Sequence, residues 1–560
     1  MRVLGRGIVM NRHMFIVFVT LMLLLSCRPE AMPDDYGQTT PKQTTISGCV
    51  YGNDGKGIEG VVVSDCYKCV KTGKNGIFEL DSDLETVKFV FVSIPPGYSA
   101  PVRNGLPIFF KRLSEERLSD GKYILEFILN KIETNADRYS LLIAADPQPR
   151  TSGKAYDNIA YHSLDCCDDL YLDMREKGAQ IKKDRPCYGI MLGDIVHEDM
   201  SLYDRYLTNG MSQMGFPTFN VLGNHDNDHA APTDAEGARV FEAKLCPANY
   251  SFNIGRIHYV VVDNLIMSEE GGKLTGAYKE GLRDDIFKWL QEDLSYVDYN
   301  TTIMICSHAP MFMNDNGKDS YKTAVNGYGY ASLLSKYRKV HAWAGHTHVM
   351  YNHVYDQDNT LKNIEVHTLV RATGDLWTNE YLSAGGTPRG YVVVDVDGDN
   401  IVWQYRPLPY QKGEHVGESP EYLLRAWDYD DNGVAYMKDG GTRLDETYQM
   451  NAYPCKVYGD NYVYANVFMW DESWEIPRYI SSDGNSTPMT LVGDKYYMYD
   501  AGQKELFDFY HANNSIAAGW TWKSDAAKRL FRIYSNKYSD YGRVEVTDRF
   551  GNVYSSKISW

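Results

Sequence analysis

The stretch Val221-Leu222-Gly223-Asn224-His225-Asp226 carries the first chemical signal in this chain. The apolar run from Phe219 to Leu222 ends in a glycine turn, and three polar side chains then arrive in succession. An asparagine amide oxygen can ligate a metal, a histidine can ligate one or move a proton, and an aspartate can orient either. Such a cluster just past a strand is where an α/β sheet holds its chemistry. GN and HD dipeptides also make ordinary Asx-type turns, so the hexapeptide draws its weight from similar strand endings elsewhere.

Those endings are Ala145-Asp146-Pro147-Gln148, Leu192-Gly193-Asp194, Ser307-His308-Ala309-Pro310 and Gly345-His346-Thr347-His348. Asp, Asn, Gln and His form a borderline-hard N/O donor set, suited to Mn, Zn or Fe rather than to a thiolate site. Two carboxylates, two amides and three histidines exceed what one open catalytic ion needs. Two adjacent divalent ions sharing a bridging carboxylate fit better; such a pair clamps a phosphoryl group and deprotonates the water between them. Singly, each piece has a blander account: Asp194 as a helix N-cap, or the Gly345–His348 stretch as a polar turn. Five turns presenting complementary donors at successive strand ends are not explained that way.

The ordered blocks D-x-Q, GD, GNHD, H and GHTH resemble the calcineurin-like metallophosphoesterase superfamily, from about Arg138 to Arg406. The flanking segments resemble the N- and C-terminal modules of one bacterial branch of it. The resemblance implies an α/β fold: a metallophosphoesterase sandwich of two mixed sheets flanked by helices, with an N-terminal β-sandwich and a C-terminal β-rich domain. It implies Asp146, Gln148, Asp194 and His348 around one metal, with Asp194 bridging to a second held by Asn224, His308 and His346. His225 would not ligate; it would stand beside the leaving-group oxygen as general acid, with Asp226 to orient it. The implied activity is hydrolysis of phosphomono- or phosphodiesters by a metal-bridged hydroxide. Gln148 departs from the histidine usual at its position and is a weaker, non-titrating ligand. His197 stands three residues beyond Asp194, where purple acid phosphatases carry tyrosine, which speaks against a tyrosinate–iron enzyme. An alternative of another class is a cell-surface lipoprotein that binds ligand on a phosphoesterase scaffold without turnover; Gln148 is the feature in its favour.

At 560 residues the chain exceeds one core. Residues 1–27 are expected to be a lipoprotein-type signal segment, 28–45 a tether, 46–132 the β-sandwich, 133–409 the catalytic domain and 410–560 the β-rich domain. Arg2, Arg6 and Arg12 precede the apolar run from Met14 to Leu25, which is too short to span a bilayer comfortably. The run ends Leu24-Leu25-Ser26-Cys27, which resembles a bacterial lipobox. That implies cleavage before Cys27, lipidation of its thiol, and a place in the bacterial cell envelope. The net charge of −17 argues against an extended grip on nucleic acid. A phosphoester of a glycan, lipid head group or nucleotide remains open, with metal supplying the local positive charge. The sequence does not set the oligomeric state.

Apolar runs and helical periodicity mark the middle domain. Strands are expected at Tyr139–Ala145, Tyr188–Leu192, Thr302–Cys306 and Val340–Ala344. Helices are expected from Ala160 to Ala179, from Leu202 to Met214, over the face Leu282, Ile286, Trp289, Leu290, Leu294 and Val297, and around Ala331 to Tyr337. Hairpins are expected at Tyr250–Gly255 with Ile257–Val262, and at Tyr391–Val396 with Ile401–Tyr405. Farther on, Tyr462–Trp470, Lys495–Tyr499, Gly519–Lys523 and Arg543–Thr547 read as β-like. The Cys66-x-x-Cys69 pair lacks a second such pair, so unpaired thiols are favoured over zinc. The run from Asp428 to Gly433 matches half an EF-hand loop, but Asp439 replaces the closing Glu and no helices flank it, so a β-turn is expected. His229, His258 and His341 read as surface or core residues. Trp377 and the segment from Gly386 to Arg389 are candidates for the cleft wall.

Overall fold

The computed structural model describes residues 44–151, 163–315, 318–355, 361–375, 382–383, 385–408, 427–429, 435–437, 450–454, 462–492, 528–534 and 542–557. The signal segment with Cys27, nearly all of the tether, Trp377 and the expected strands Lys495–Tyr499 and Gly519–Lys523 lie outside them.

The middle of the chain builds two mixed sheets. The first is ordered Thr218–Asn220, Cys187–Met191, Arg138–Ala144, Gly390–Asp397, Asn400–Pro407. Its first three strands are parallel and the closing hairpin is antiparallel. The second is ordered Tyr250–Ile254, Ile257–Val261, Thr302–Cys306, Lys339–Ala344, Ile364–Thr368, Tyr351–Val354, parallel in the middle and antiparallel at both edges. Parallel neighbours need long crossovers. The helices Ser163–Ile181, Asp284–Ser295 and Gly327–Leu334 serve that purpose, as does the helical run from Leu202 to Met214 with a π-helical turn at Tyr206–Met211. Strands covered on both faces read as continuous apolar runs, as Leu141 to Ala144 and Ile303 to Cys306 do, all buried. Parallel strands also end at a common edge. Asp146, Asp194 and Asn224 follow strands of the first sheet, and His308 and His346 follow strands of the second.

The strands and hairpins expected in the middle domain are present within a residue or two, and the helix expected around Ala331 begins a turn earlier, at Gly327. Four strands, in two antiparallel pairs, escaped the pattern. The hairpin Leu265–Glu270 with Lys273–Glu280 is charged and two-stranded, with a bulge between Met267 and Glu269. The strand Ile364–Thr368 is wholly buried but carries Glu365 and His367, which break its apolar run, and its partner Tyr351–Val354 was missed with it.

The N-terminal module is all β. One sheet runs Leu118–Ser119, Lys122–Lys131, Ile46–Gly52, Ile77–Leu80; the other runs Cys69–Lys71, Val62–Ser64, Phe89–Val92, Phe110–Arg112. Alternate residues Leu125, Phe127 and Leu129 point inward and are buried. The module is fused to the catalytic layers: Phe109 packs on Tyr250 with ring centroids 5.1 Å apart, and Trp289 Nε1 donates to Ser64 Oγ at 3.1 Å. No disulfide joins the cysteines among the described residues, Cys66 and Cys69 included. Toward the C-terminus two four-stranded sheets form, one of them containing Tyr462–Val467 and the other Arg543–Thr547. Trp427–Tyr429 pairs antiparallel with Ala435–Met437; the rest of the run from Asp428 to Gly433, and Asp439, lie outside the described residues.

The seam between the second catalytic sheet and the C-terminal strands encloses two buried histidines. His341 Nδ1 lies 3.2 Å from His367 Nε2, and His367 Nδ1 lies 3.1 Å from Asn352 Oδ1. Glu365 stands beside them, already paired with Lys339 and Arg549, so a dication is not needed there. Burial pushes His341 down to about 4, outweighing the attraction of Glu365. The unfolded chain takes up a proton near pH 6.5 and the native state only near 4, so the folded state loses stability as pH falls through that window. Above it His341 contributes nothing of this kind. Wild type is expected to lose about 3 kcal/mol from this group on acidification. His341→Gln should lose that much less between pH 7 and 4 in urea unfolding of metal-free protein. Equal losses in both proteins would clear His341 of the effect.

Candidate active site

The donor residues sit on strained backbone. Among the described residues, Asp146, Gln148, Asp194, Glu198, His346 and His348 all have positive φ, from 42° to 71°. Left-handed non-glycine residues cost of order 1–3 kcal/mol each and persist only where the surroundings over-determine them. Here the sharp turns aim successive side chains into one cleft. The glycines of the blocks admit close approach: a Cβ on Gly223 would lie 2.2 Å from Asp194 Oδ1, and one on Gly345 would lie 2.3 Å from Asp146 Oδ2.

Asp146, Asp194 and His348 bring their donor atoms within 4.8 Å of one another, with His348 Nε2 at 3.4 Å from Asp146 Oδ1. Asp146 also accepts the His346 backbone N–H at 2.9 Å. On the other side, His308 Nδ1 faces the Leu192 carbonyl at 2.8 Å, so Nε2 is the nitrogen turned into the cleft. It stands 3.2 Å from Asp194 Oδ2, poorly aligned for a hydrogen bond. Burial works against charge on His308, but Asp194 and Asp146 outweigh it and lift it to about 10. Asp194 is held well below the usual carboxylate range: burial opposes this, and His308 and His225 overcome it.

Asn224 Oδ1, His308 Nε2 and His346 Nδ1 are buried atoms with no hydrogen-bond partner among the described residues. Unsatisfied buried polar atoms are rare and need a reason. These three belong to the residues expected around a second metal, and each can offer it a lone pair, His308 on giving up its Nε2 proton. The donor set therefore fits a cation next to Asp194.

Gln148, expected as a ligand, has both amide atoms engaged by protein groups. Its Oε1 accepts from Arg371 Nε at 3.1 Å, and its Nε2 donates to Asp194 Oδ2 at 2.8 Å. Arg371 is donor-only, which fixes the amide orientation and turns the NH2 group, not the oxygen, toward the metal cleft. Gln148 is thus a hydrogen-bonding partner of the Asp194 carboxylate. Arg371 is fully buried and also bonds the Pro147 and Gln148 carbonyls. Gln148→Ala should take from buried Arg371 the acceptor of its Nε and lower stability by about 1–3 kcal/mol. It should weaken metal binding while leaving turnover at saturating Mn. Loss of all turnover in excess Mn would place the amide on the substrate instead.

Asp226 does not orient His225. It accepts from the backbone of Ile195, Val196 and Gly223 and from Tyr203 Oη, holding the two donor loops together. Burial and the nearby Asp194 push it up to about 7. His225 instead meets Glu198 Oε1 through Nδ1 at 3.2 Å and stacks on His197, ring centroids 4.0 Å apart. Burial disfavours the His225 cation, yet Asp194 and Glu198 hold its pKa above the ordinary value. His197 is pushed down to about 3 by burial and by His225. Its place three residues past Asp194 was visible in the sequence, its stacking was not; Glu198 gave no signal. Of the other candidates, Arg389 pairs with Asp169 at 3.0 Å on the helix Ser163–Ile181. His258 is buried against Asp293 at 3.0 Å, and His229 is partly exposed.

Residues 140–350 match the family described as calcineurin-like phosphoesterase, residues 44–131 its N-terminal domain, and residues 367–554 its C-terminal domain. This chain belongs to the calcineurin-like phosphoesterases. It is a metal-dependent phosphoric ester hydrolase with both extension domains. Solved structures similar to this phosphoesterase include a dimetal phosphatase from Danio rerio, 16% identical over 48% of this chain and 96% of that one, with a TM-score of 0.34. A purple acid phosphatase from yellow lupin is 15% identical over 52% of this chain and 56% of that one, with a TM-score of 0.35. A 5'-nucleotidase from Candida albicans is 14% identical over 48% and 52%, with a TM-score of 0.28. This chain thus spans little more than half of the lupin and Candida proteins. No curated protein matches the sequence.

Proposed function

We propose that this phosphoesterase is an exported, lipid-anchored enzyme of the bacterial envelope. It hydrolyses phosphomono- or phosphodiesters at a site built for two divalent ions. The supporting observation is the trio Asn224 Oδ1, His308 Nε2 and His346 Nδ1, without a hydrogen-bond partner among the described residues, in the cleft of Asp194. Asp146, Asp194 and His348 would hold one ion, and Asn224, His308 and His346 the other, with Asp194 shared. Two ions so placed supply a Lewis acid for the phosphoryl oxygens and an activated water.

The remaining work falls to protein groups. Gln148 and the His225 backbone N–H, donating at 2.8 and 2.9 Å, hold the Asp194 carboxylate at one angle. Glu198 engages His225 Nδ1, leaving Nε2 to give a proton to the departing oxygen. His197 braces the ring from one face. Export rests on the basic and apolar segment ending at Cys27. The substrate would carry its phosphate on a glycan, a lipid head group or a nucleotide.

The test is elemental analysis of purified protein with a hydrolysis panel of nitrophenyl mono- and diesters, phosphorylated sugars, glycerophosphoesters and nucleotides. Two metal equivalents and chelator-sensitive turnover are expected. Metal-loaded protein inert on every ester would favour a ligand-binding lipoprotein instead.

A further inference from the structure

The hairpin Leu265–Glu270 with Lys273–Glu280 joins neither catalytic sheet and pairs only with itself. It is nevertheless pinned along its length. Met267 N donates to Asp234 Oδ1 at 2.7 Å, Leu274 N to the Ala231 carbonyl at 3.2 Å, and Gly281 N to the Asn264 carbonyl at 2.9 Å. Ala231, Met267 and Leu274 form a small buried cluster against which the Tyr278 ring packs. From there the Tyr278 hydroxyl reaches His346 Nε2 at 3.0 Å, the two rings meeting edge-on at 73°.

A neutral imidazole has one protonated and one bare nitrogen, and only the bare one can ligate a cation. The partner of the protonated nitrogen selects which is which. For His346 the nitrogens are plainly unequal: Nδ1 is buried without a partner among the described residues, while Nε2 faces Tyr278. The Glu280 carboxylate, at 3.9 Å from Nε2, is beyond hydrogen-bond distance. We propose that Tyr278 is a positioning residue for the second metal. Its hydroxyl accepts the His346 Nε2–H, fixes the tautomer with a bare Nδ1, and holds the ring so that Nδ1 points at the ion. The inference rests on the dinuclear phosphoesterase reading. It goes beyond that reading by making a hairpin outside the catalytic sheets part of the metal site.

Tyr278→Phe removes the hydroxyl and keeps the ring, so thermal unfolding of the metal-free variant should match wild type. Manganese titration of metal-free protein, followed by calorimetry and by the spin-coupled EPR signal of a metal pair, reads each equivalent. One equivalent should bind about 10- to 100-fold more weakly in the variant, with the other unchanged. His346→Ala should weaken the same equivalent, and adding Tyr278→Phe to it should cost nothing further. Two equivalents at wild-type affinity in Tyr278→Phe would overturn the proposal while leaving the phosphoesterase reading intact. A wild-type protein that never takes up a second ion would overturn both.

Discussion

Asp194→Asn is expected to fold, to hold one metal equivalent instead of two, and to lose activity by about a thousandfold. The carboxylate is fully engaged: Oδ1 accepts the His225 backbone N–H at 2.9 Å, Oδ2 accepts Gln148 Nε2 at 2.8 Å, and His308 Nε2 stands 3.2 Å away. An asparagine can meet only one of the first two donors with its oxygen. Its NH2 group would then confront the other donor. Gln148 cannot rotate to relieve the conflict, because Arg371 needs its oxygen. On the dinuclear reading the substitution would also remove the negative charge shared by the two cations, leaving more of their repulsion uncompensated. Near wild-type turnover with both metals retained would rule out a bridging role for Asp194.

How much of this was legible beforehand follows from what sequence encodes locally. The five blocks were readable because each donor sits next to a glycine or follows an apolar strand, and parallel strands must deliver their ends to one edge. Gln148 was placed in the right cleft, but its bonds to Asp194 and Arg371 were not foreseen. Its environment is decided by Arg371, more than two hundred residues away, and no local pattern announces such a pairing. Glu198 is hidden for a similar reason. It lies on a loop with positive φ, where direction depends on the turn rather than on helical or strand periodicity. Tyr278 belongs to a hairpin whose charged surface hides its single anchored face. Asp226 was the opposite case: adjacency to His225 suggested a partnership, while its side chain turns inward to three backbone N–H groups.

His225→Ala is expected to keep both metals and to show its loss in the leaving group. His225 follows Asn224 directly, but its ring is turned from the donor trio toward Glu198 and His197. Its side chain is 26% exposed, whereas that of His308 is sealed. A partly open imidazole with Nδ1 engaged is placed to donate from Nε2. General-acid help is worth about a hundred- to ten-thousand-fold when the departing oxygen is basic. A sugar or glycerol alkoxide needs that proton, whereas a nitrophenolate is stable as an anion and leaves without it. Alkyl phosphoesters should therefore lose about a hundredfold or more in kcat, and nitrophenyl esters much less. Glu198→Gln should show the same ordering in weaker form, since it loosens the ring without removing it. Equal losses on both substrate types, with two metals still bound, would strip His225 of the acid role. Loss of a metal equivalent would make it a ligand.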